Sequence, residues 1–409
     1  MRNGRMATFD ATTTTPAIDR PSFHVGTTAG THNSRLSGQW AMRPDDQRFL
    51  DLNSLFDYTR RRYDESRSDI IDVRDVRVLA NQKDPNTLRV QLPTNHGEDV
   101  IAEPNHWSFG QLCNLVQVPA GYVRKLPAAI SAINMQWALA NFREETIKTF
   151  VRQNGDTELA AATGPKYGRI PDHEVVAAFM RIAGNGTGDS AWKIPGVMDW
   201  GTMIYNPHAA ITKQSTTLFA SDRDVFMFLV DDAHPIQIGT LPNGDPDYVL
   251  RGVYGWNSEV GSKTMGVAAF YFRAICQNRI LWGVEGYEEI TIRHSKNAPE
   301  RLSAEIAPAL ESFANHSTTD LLRGIKAARD AVVARTTDER GKFLEDQGFT
   351  GGQVKAIVAS VLAEEGKEPE SIWDFVQGIT AMARDIPYQD ARIAMEHRAG
   401  RMLDKVTRT

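Results

Sequence analysis

The sequence predicts an α+β protein, in which an antiparallel sheet with packed helices is followed by a mostly helical C-terminal unit. Runs of β-branched and aromatic residues, joined by turn dipeptides, fill the middle of the chain. From Ala298 onward the apolar residues instead recur every three or four positions, as they do in helices. Because the chain has 409 residues, it is expected to fold around more than one core.

Changes in composition and hydrophobic period give the expected domain limits. Residues 1–48 are expected to form a flexible arm, since they are rich in Thr, Ser, Gly, Asn and Arg and have no sustained apolar period. Residues 49–298 are expected to form the α+β core domain, and residues 299–409 a helical C-terminal region.

Turn residues place hairpins and short helices within the core domain. Asp84-Pro85-Asn86 separates two strand-like runs, and Asn154-Gly155 and Asn243-Gly244 tolerate the positive φ angles of tight hairpin turns. The segment "DHEVVAAFMRIAG" is predicted to be a helix that ends at Gly184. Another helix is predicted in "HWSFGQLCNLVQVP", where helical spacing relates Trp107, Leu112, Leu115 and Val116.

Charge and cysteine usage exclude several classes of protein. With a net charge of -5, the chain is not basic enough to bind nucleic acid through bulk charge, so a polyanion site must be a local patch. Cys113 and Cys276 lie far apart, which argues against a structural zinc site and against a secreted disulfide scaffold. The sequence shows no signal-like start and no apolar run of bilayer length. A soluble, cytoplasmic protein without a membrane partner is therefore expected.

The segment Gly252–Asn278, "GVYGWNSEVGSKTMGVAAFYFRAICQN", combines glycines, aromatics and cations around Glu259. It is predicted to be a strand that turns into a helix, whose free amides would attract a phosphate together with Lys263. The glycines match neither a phosphate-binding loop nor a dinucleotide fingerprint, so nucleotide hydrolysis is not supported and no cofactor is expected. The apolar stripe of the predicted helix holds Met265, Ala268, Ala269, Phe272, Ile275 and Cys276.

The same segment supplies the candidate nucleic-acid-binding residues. Aromatics that stack on bases, next to cations and an anion-binding helix end, are the ingredients of a groove for a single strand. Each residue alone is more simply explained by structure, because such aromatics usually pack on a sheet and such a glutamate usually completes a helix cap. The candidates are Arg251, Tyr254, Trp256, Asn257, Ser258, Lys263 and Arg273.

Within this segment, "WNSEVGSKTMGVAAFYFRAICQN" resembles the signature of a phage- and plasmid-encoded family known as domain of unknown function 932. The resemblance extends to "FGQLCNLVQVPAGYVRKLP", "DTELAAATGPKYGRIPDHEVV", "SDRDVFMFLVDD" and "SIWDFVQGITAMARD", and so covers the chain from about Trp107 to Gly400. The chain departs from the signature at Arg279, where family members commonly have glycine.

The stretch "VYGWNSEVGSKTMG" is also similar to a turn in single-strand annealing proteins of the Rad-fifty-two type. This resemblance implies a homo-oligomeric ring or filament that binds single-stranded DNA and anneals complementary strands in recombination or replication, without nucleotide or metal catalysis. It implies action in a bacterial host cell, with a single-strand binding protein or an exonuclease of host or phage as a further partner. One apolar helical stripe fits either self-association or packing within the monomer, and comprises Ile372, Trp373, Val376 and Ile379.

Two other functions are weighed against annealing. The first alternative is a phage structural or host-interaction protein without DNA affinity. The second is a magnesium-dependent nucleic-acid enzyme, with Asp222 and Asp224 as candidate metal ligands and Asp231 and Asp232 one strand away. Acids at both ends of an apolar strand are more typical of solvated turns, and the sequence supports no Ser/His/Asp or Cys/His arrangement. An enzyme is therefore the third choice.

Overall fold

The computed structural model describes residues 23–24, 43–84, 86–94, 97–142, 146–199, 204–240, 244, 246–273, 278–280, 290–314, 318–384, 386 and 389–407. It confirms the α+β class and the helical C-terminal region. The strands are β1 (Phe23–His24), β2 (Arg48–Phe49), β3 (Ser66–Arg67), β4 (Ile70–Asp72), β5 (Arg77–Ala80), β6 (Leu88–Leu92), β7 (Val100–Pro104), β8 (Thr146–Asn154), β9 (Asp156–Thr163), β10 (Trp192–Lys193), β11 (Val197–Asp199), β12 (Ile204–Asn206), β13 (Leu218–Ala220), β14 (Val225–Thr240), β15 (Pro246–Asn257), β16 (Met265–Arg273), β17 (Asn278–Ile280) and β18 (Ile290–Ile292). The α-helices are α1 (Leu52–Asp64), α2 (His106–Leu115), α3 (Ala120–Val123), α4 (Ala128–Ala140), α5 (Asp172–Ala183), α6 (Ala298–Arg301), α7 (Ala307–Ala314), α8 (Thr319–Asp330), α9 (Thr337–Asp346), α10 (Gly351–Glu365), α11 (Ile372–Arg384) and α12 (Gln389–Thr407).

The central sheet has eight strands in the order β17-β16-β15-β14-β13-β2, with β10 beside β14 and β18 beside β16. All of these pairs are antiparallel. One face packs on α1, α5 and α7, and Val253 of β15 lies in the same hydrophobic core as Phe179 and Phe313. The opposite face buries an aromatic cluster that includes Tyr254 and Phe270. Both faces of the middle strands are therefore covered.

The flanking sheet has seven strands in the order β3-β8-β9-β7-β6-β5, with β4 beside β8. Its pairs are antiparallel except for β7 and β9, which run parallel. Leu112 of α2 and Met135 of α4 pack with Ile147 of β8 in a core that belongs to this sheet alone. A third, three-stranded sheet has the order β1-β12-β11.

The helices from α8 to α12 pack against the far end of the central sheet. Their core includes Ile236, Val249 and Tyr271 of the sheet. The apolar stripe predicted on α11 is buried in this same core, so packing within the monomer explains it. The stripe comprises Ile372, Trp373, Val376 and Ile379. No helix among the described residues is both long and apolar enough to span a bilayer.

The hairpins predicted from turn residues are confirmed, since β5 pairs with β6, β8 with β9, and β14 with β15. Gly155 and Gly244 have φ angles of 75° and 91°, in the left-handed region that favours glycine. The predicted helices α2 and α5 are also confirmed, and α5 ends at Gly184 with a φ of 56°. Pro85 and Asn243 of the predicted turns lie outside the described residues.

The helix predicted behind the turn is wrong, because Met265–Arg273 forms strand β16. Val267 faces the core beneath α5 and α7, whereas Phe270 faces the aromatic cluster on the other side. A strand buried on both faces is a continuous apolar run, and such a run fits a helix equally well by spacing. Ile275 and Cys276, assigned to the same helix, lie outside the described residues.

Most of the predicted N-terminal arm, residues 1–22 and 25–42, lies outside the described residues. Phe23–His24 forms β1, which pairs with β12. The end of the arm contacts the central sheet, since Arg43 binds Asp224 at 3.1 Å and Arg48 forms part of β2. The domain limits at residues 48 and 298 stay predictions.

Candidate nucleic-acid interface

The turn between β15 and β16 is buried over residues 258–260 and half-buried over residues 261–264, and the candidate residues in and around it have roles different from those predicted. Tyr254 and Trp256 stack on each other within the aromatic cluster, with ring centroids 5.3 Å apart. Both side chains are buried, so neither presents a ring face to a base. Their explanation as residues that pack on a sheet is the one that the geometry supports.

Asn257 and Ser258, which were predicted to contact nucleic acid, instead hold the turn to neighbouring loops. The Nδ2 atom of Asn257 donates to the carbonyl oxygen of Ile170 at 2.8 Å and to Oδ1 of Asp172 at 2.7 Å. The hydroxyl of Ser258 donates to the carbonyl oxygen of Arg223 at 2.6 Å. Both residues are fully buried, so the predicted contact with nucleic acid does not fit them.

The candidate cations Arg251 and Lys263 neutralise buried carboxylates. Arg251 forms an ion pair of 2.5 Å with Asp231. Lys263 lies 3.6 Å from Asp224, which also binds Arg43. Burial alone would raise the pKa of Asp224, but Arg43 and Lys263 outweigh it and lower the pKa below its usual value. These cations therefore have structural partners.

Arg273 pairs with Val249 at the end of β16, and its side chain lies outside the described residues.

The candidate metal ligands Asp222 and Asp224 do not form a metal site. Asp224 is held by cations, and Asp222 lies 3.6 Å from Arg223. No group of three or more His, Cys, Asp or Glu side chains within the described part of the chain could hold a metal ion.

Glu259, at the centre of the turn, was not predicted as a site residue, and it joins the two sheets. Its Oε2 atom accepts from Nη2 of Arg152 on β8 at 3.0 Å. Its Oε1 atom accepts from the backbone amide of Asp172, at the start of α5, at 2.8 Å. Its backbone carbonyl accepts from Nη1 of Arg169. A single glutamate thus binds the flanking sheet, a helix start and a buried arginine.

The next residue of the turn extends this joint. The carbonyl oxygen of Val260 accepts from Nε1 of Trp107 at 3.0 Å and from Nε2 of Gln111 at 2.7 Å, both on α2. The hydroxyl of Tyr167 donates to the carbonyl oxygen of Ser258 at 3.1 Å. The conformation of the turn therefore fixes the position of Tyr167 and Arg169.

Beside this joint lies an open cleft of about 660 Å³, here called the cationic cleft. It is bounded by the end of α1, by β3 and β8, by the loop before α5 and by the start of α6. The described residues that line it include four cations and no carboxylate. The cations are Lys148, Lys166, Arg169 and Lys296, and the aromatic rings are Tyr63, Phe150 and Tyr167.

The charge of the cleft is not balanced from within. Burial lowers the pKa of Arg169 to about 10, which leaves the guanidinium protonated at neutral pH. Burial, and then the neighbouring Arg169, lower the pKa of Lys148. Burial, followed by the repulsion of Glu259, raises the pKa of Asp172 well above its usual value and favours its neutral form. Since Glu259 is itself bonded to Arg152, positive charge is left facing the cleft.

The cleft residues were not singled out by sequence. The segment "GPKYGR" at 164–169 places two cations, an aromatic and flexible glycines in one loop, and this pattern is the signal that could have identified them. Tyr63 and Lys296 come from distant parts of the chain and carry no such local signal.

Comparison of the chain with protein-family models, with curated proteins and with solved structures gives no match. The resemblances to the domain of unknown function 932 and to Rad-fifty-two-type annealing proteins therefore stay predictions.

Proposed function

We propose that this protein binds single-stranded nucleic acid in the cationic cleft and anneals complementary strands. The observation that carries the proposal is the combination of four cations with aromatic rings in one open cleft free of lining carboxylates among the described residues. Phosphates are attracted by the cations, and bases stack on aromatic faces, which is how proteins bind single strands without reading their sequence. The sequence resemblance to annealing proteins supports the second half of the proposal.

A single strand fits this cleft better than a duplex does. A duplex keeps its bases stacked inside and offers mainly phosphates, so it would not use rings that lie inside a cleft. The alternative of a magnesium-dependent enzyme gains no support, because the acids proposed as its metal ligands are held by arginine and lysine side chains.

Assembly into a ring or filament is part of the proposal, and light scattering with and without single-stranded DNA tests it. A monomer under both conditions would contradict that part.

Fluorescence anisotropy with a labelled thymidine oligonucleotide tests the binding. The variant Lys166→Ala/Lys296→Ala removes two exposed cations of the cleft, and Lys342→Ala/Lys355→Ala removes two exposed lysines from α9 and α10. We expect the first variant to bind roughly tenfold more weakly than the parent and the matched control to bind normally, because only the cleft cations contact phosphates. Equal binding by both variants would contradict the proposal, and so would a preference for duplex.

Annealing is measured separately by energy transfer between two labelled complementary strands. The parent protein is expected to accelerate pairing, and the cleft variant to do so more slowly than the lysine control. Cleavage of either strand in the presence of Mg²⁺ would instead select the enzyme alternative. Binding without acceleration would leave a strand-binding protein that does not anneal.

A further inference from the structure

The inner wall of the cationic cleft contains an arginine with unfilled hydrogen-bond donors. Arg169 is 9% exposed, and its guanidinium carbon lies 3.9 Å from the ring centroid of Phe150 and 5.3 Å from that of Tyr167. Nη1 donates to the carbonyl of Glu259, whereas Nε and Nη2 have no partner among the described residues. A buried charged donor without an acceptor is costly, so this arrangement favours an anionic ligand.

Lys148 adds a second cation to the same wall. Its Nζ atom donates to the carbonyl oxygen of Tyr167 at 3.0 Å, which holds the ammonium group beside the Arg169 loop. Both acceptors, the carbonyl of Glu259 for Arg169 and that of Tyr167 for Lys148, are neutral. Two neighbouring cations bonded to neutral carbonyls repel each other, and an anion between them would relieve the repulsion.

Tyr63 supplies a different surface at the rim of the cleft. Its side chain is 37% exposed, and its ring lies 4.9 Å from the ring of His173, tilted by 54°. The ring is thus in contact with His173, partly exposed, and part of the lining of the cleft. A supported, partly exposed aromatic ring is the type of surface on which a nucleobase stacks.

We propose that the cleft contains a nucleotide subsite, in which Arg169 and Lys148 bind one phosphate group and Tyr63 stacks on the attached base. The subsite rests on the proposed function, and it narrows the ligand to a nucleotide unit that carries both a phosphate and a flat base. A free nucleoside monophosphate and one unit of a strand share this chemistry. The titration below separates these two sources.

Isothermal titration calorimetry of the full chain with thymidine monophosphate, thymidine, inorganic phosphate and a short thymidine oligonucleotide tests the subsite. Thymidine monophosphate should bind roughly tenfold more tightly than thymidine, because the phosphate makes charge-assisted hydrogen bonds. Lys148→Met, which keeps the apolar stem, should weaken the monophosphate and inorganic phosphate alike. Tyr63→Ala should weaken the monophosphate by about fivefold or more and leave inorganic phosphate unchanged. Lys355→Ala should change none of these, and melting curves must show that each variant is folded.

The outcomes separate the subsite from the proposed function. If the oligonucleotide binds but folded Lys148→Met and Tyr63→Ala bind as the parent does, the subsite is wrong and the strand-binding proposal stands. If the monophosphate binds as expected but the oligonucleotide binds no more tightly, the subsite stands and serves a free nucleotide, and the strand-binding proposal falls. Binding of neither ligand overturns both.

Discussion

At the scale of single residues, Glu259 holds several buried groups together, a role that its position in a glycine-rich turn does not suggest. Its carboxylate and carbonyl together hold Arg152, Arg169 and the amide of Asp172, and all of these groups are buried. A buried carboxylate is tolerated when its lone pairs are filled in this way. The charge of Glu259 therefore stabilises the joint from which the cleft residues project.

Removal of the Glu259 charge should destabilise the protein strongly. Glu259→Gln leaves Arg152 without its ion-pair partner in a buried site, and we expect the free energy of unfolding to fall by about 3–5 kcal/mol. The exposed pair Arg301–Glu305 offers a matched control, since Glu305→Gln breaks an ion pair in solvent and should change stability little. Denaturant unfolding measures both variants. Equal stability of the two would show that the buried pair does not support the joint.

Asp172 should make stability depend on pH. Because its pKa is raised in the folded state, the folded protein keeps a proton at pH values where the unfolded chain, with a pKa of about 4, has lost it. The folded state then binds more protons, so this residue lowers stability as pH rises from about 4 through the raised pKa. Asn cannot titrate, and its Oδ1 atom can still accept from Asn257.

The free energy of unfolding of Asp172→Asn, minus that of the parent, should therefore increase from pH 5 to pH 8. Denaturant unfolding at both pH values gives the two differences. The same difference at pH 5 and pH 8 would contradict the assignment.

At the scale of elements, the β15–β16 hairpin pairs glycines with aromatic rings across the strands. Gly252 lies opposite Phe270, and Gly266 lies opposite Trp256. A Cβ atom at either glycine would overlap the ring of the opposite residue. The two glycines are therefore required by the close packing of the opposite rings.

Gly252→Ala should destabilise the sheet by about 1–3 kcal/mol, because the added methyl group forces the Phe270 ring out of its packed position. Gly341→Ala, in α9, is the matched control, since a methyl group there meets no atom and should stabilise the helix by up to about 1 kcal/mol. Chemical denaturation compares the two. A Gly252→Ala variant as stable as the parent would show that the ring moves at no cost.

The hairpins and α5 could be predicted from sequence because their signals are local. Gly155 and Gly184 each adopt a positive φ angle that few residue types other than glycine tolerate. Strand β16 could not be predicted in this way, since helices cover one of its faces and an aromatic cluster covers the other, and both come largely from distant parts of the chain. Which strand it pairs with is decided by tertiary structure, and the apolar run alone does not specify that pairing.

At the scale of the whole molecule, the cationic cleft forms where the flanking sheet meets the end of α1, the loop before α5 and the start of α6. Its residues come from α1, β3, β8, the loop at 164–169, the segment before α6 and the start of α6, which are spread widely along the chain. The net charge of -5 gives no sign of this local positive surface. The sequence pattern identified the turn that positions Tyr167 and Arg169 of the cleft, but it predicted that the turn itself contacts nucleic acid.

The dependence of binding on salt tests the central claim most directly, because it counts the phosphate contacts of the cleft. Affinity for a thymidine oligonucleotide is measured over a range of salt concentrations for the parent, for Lys166→Ala/Lys296→Ala and for Lys342→Ala/Lys355→Ala. Loss of two cleft contacts should reduce the slope of log K against log salt by about 1.4, at about 0.7 for each single-strand phosphate contact, while the control keeps the parent slope. Identical slopes for all three proteins would contradict the claim that a strand binds in the cationic cleft.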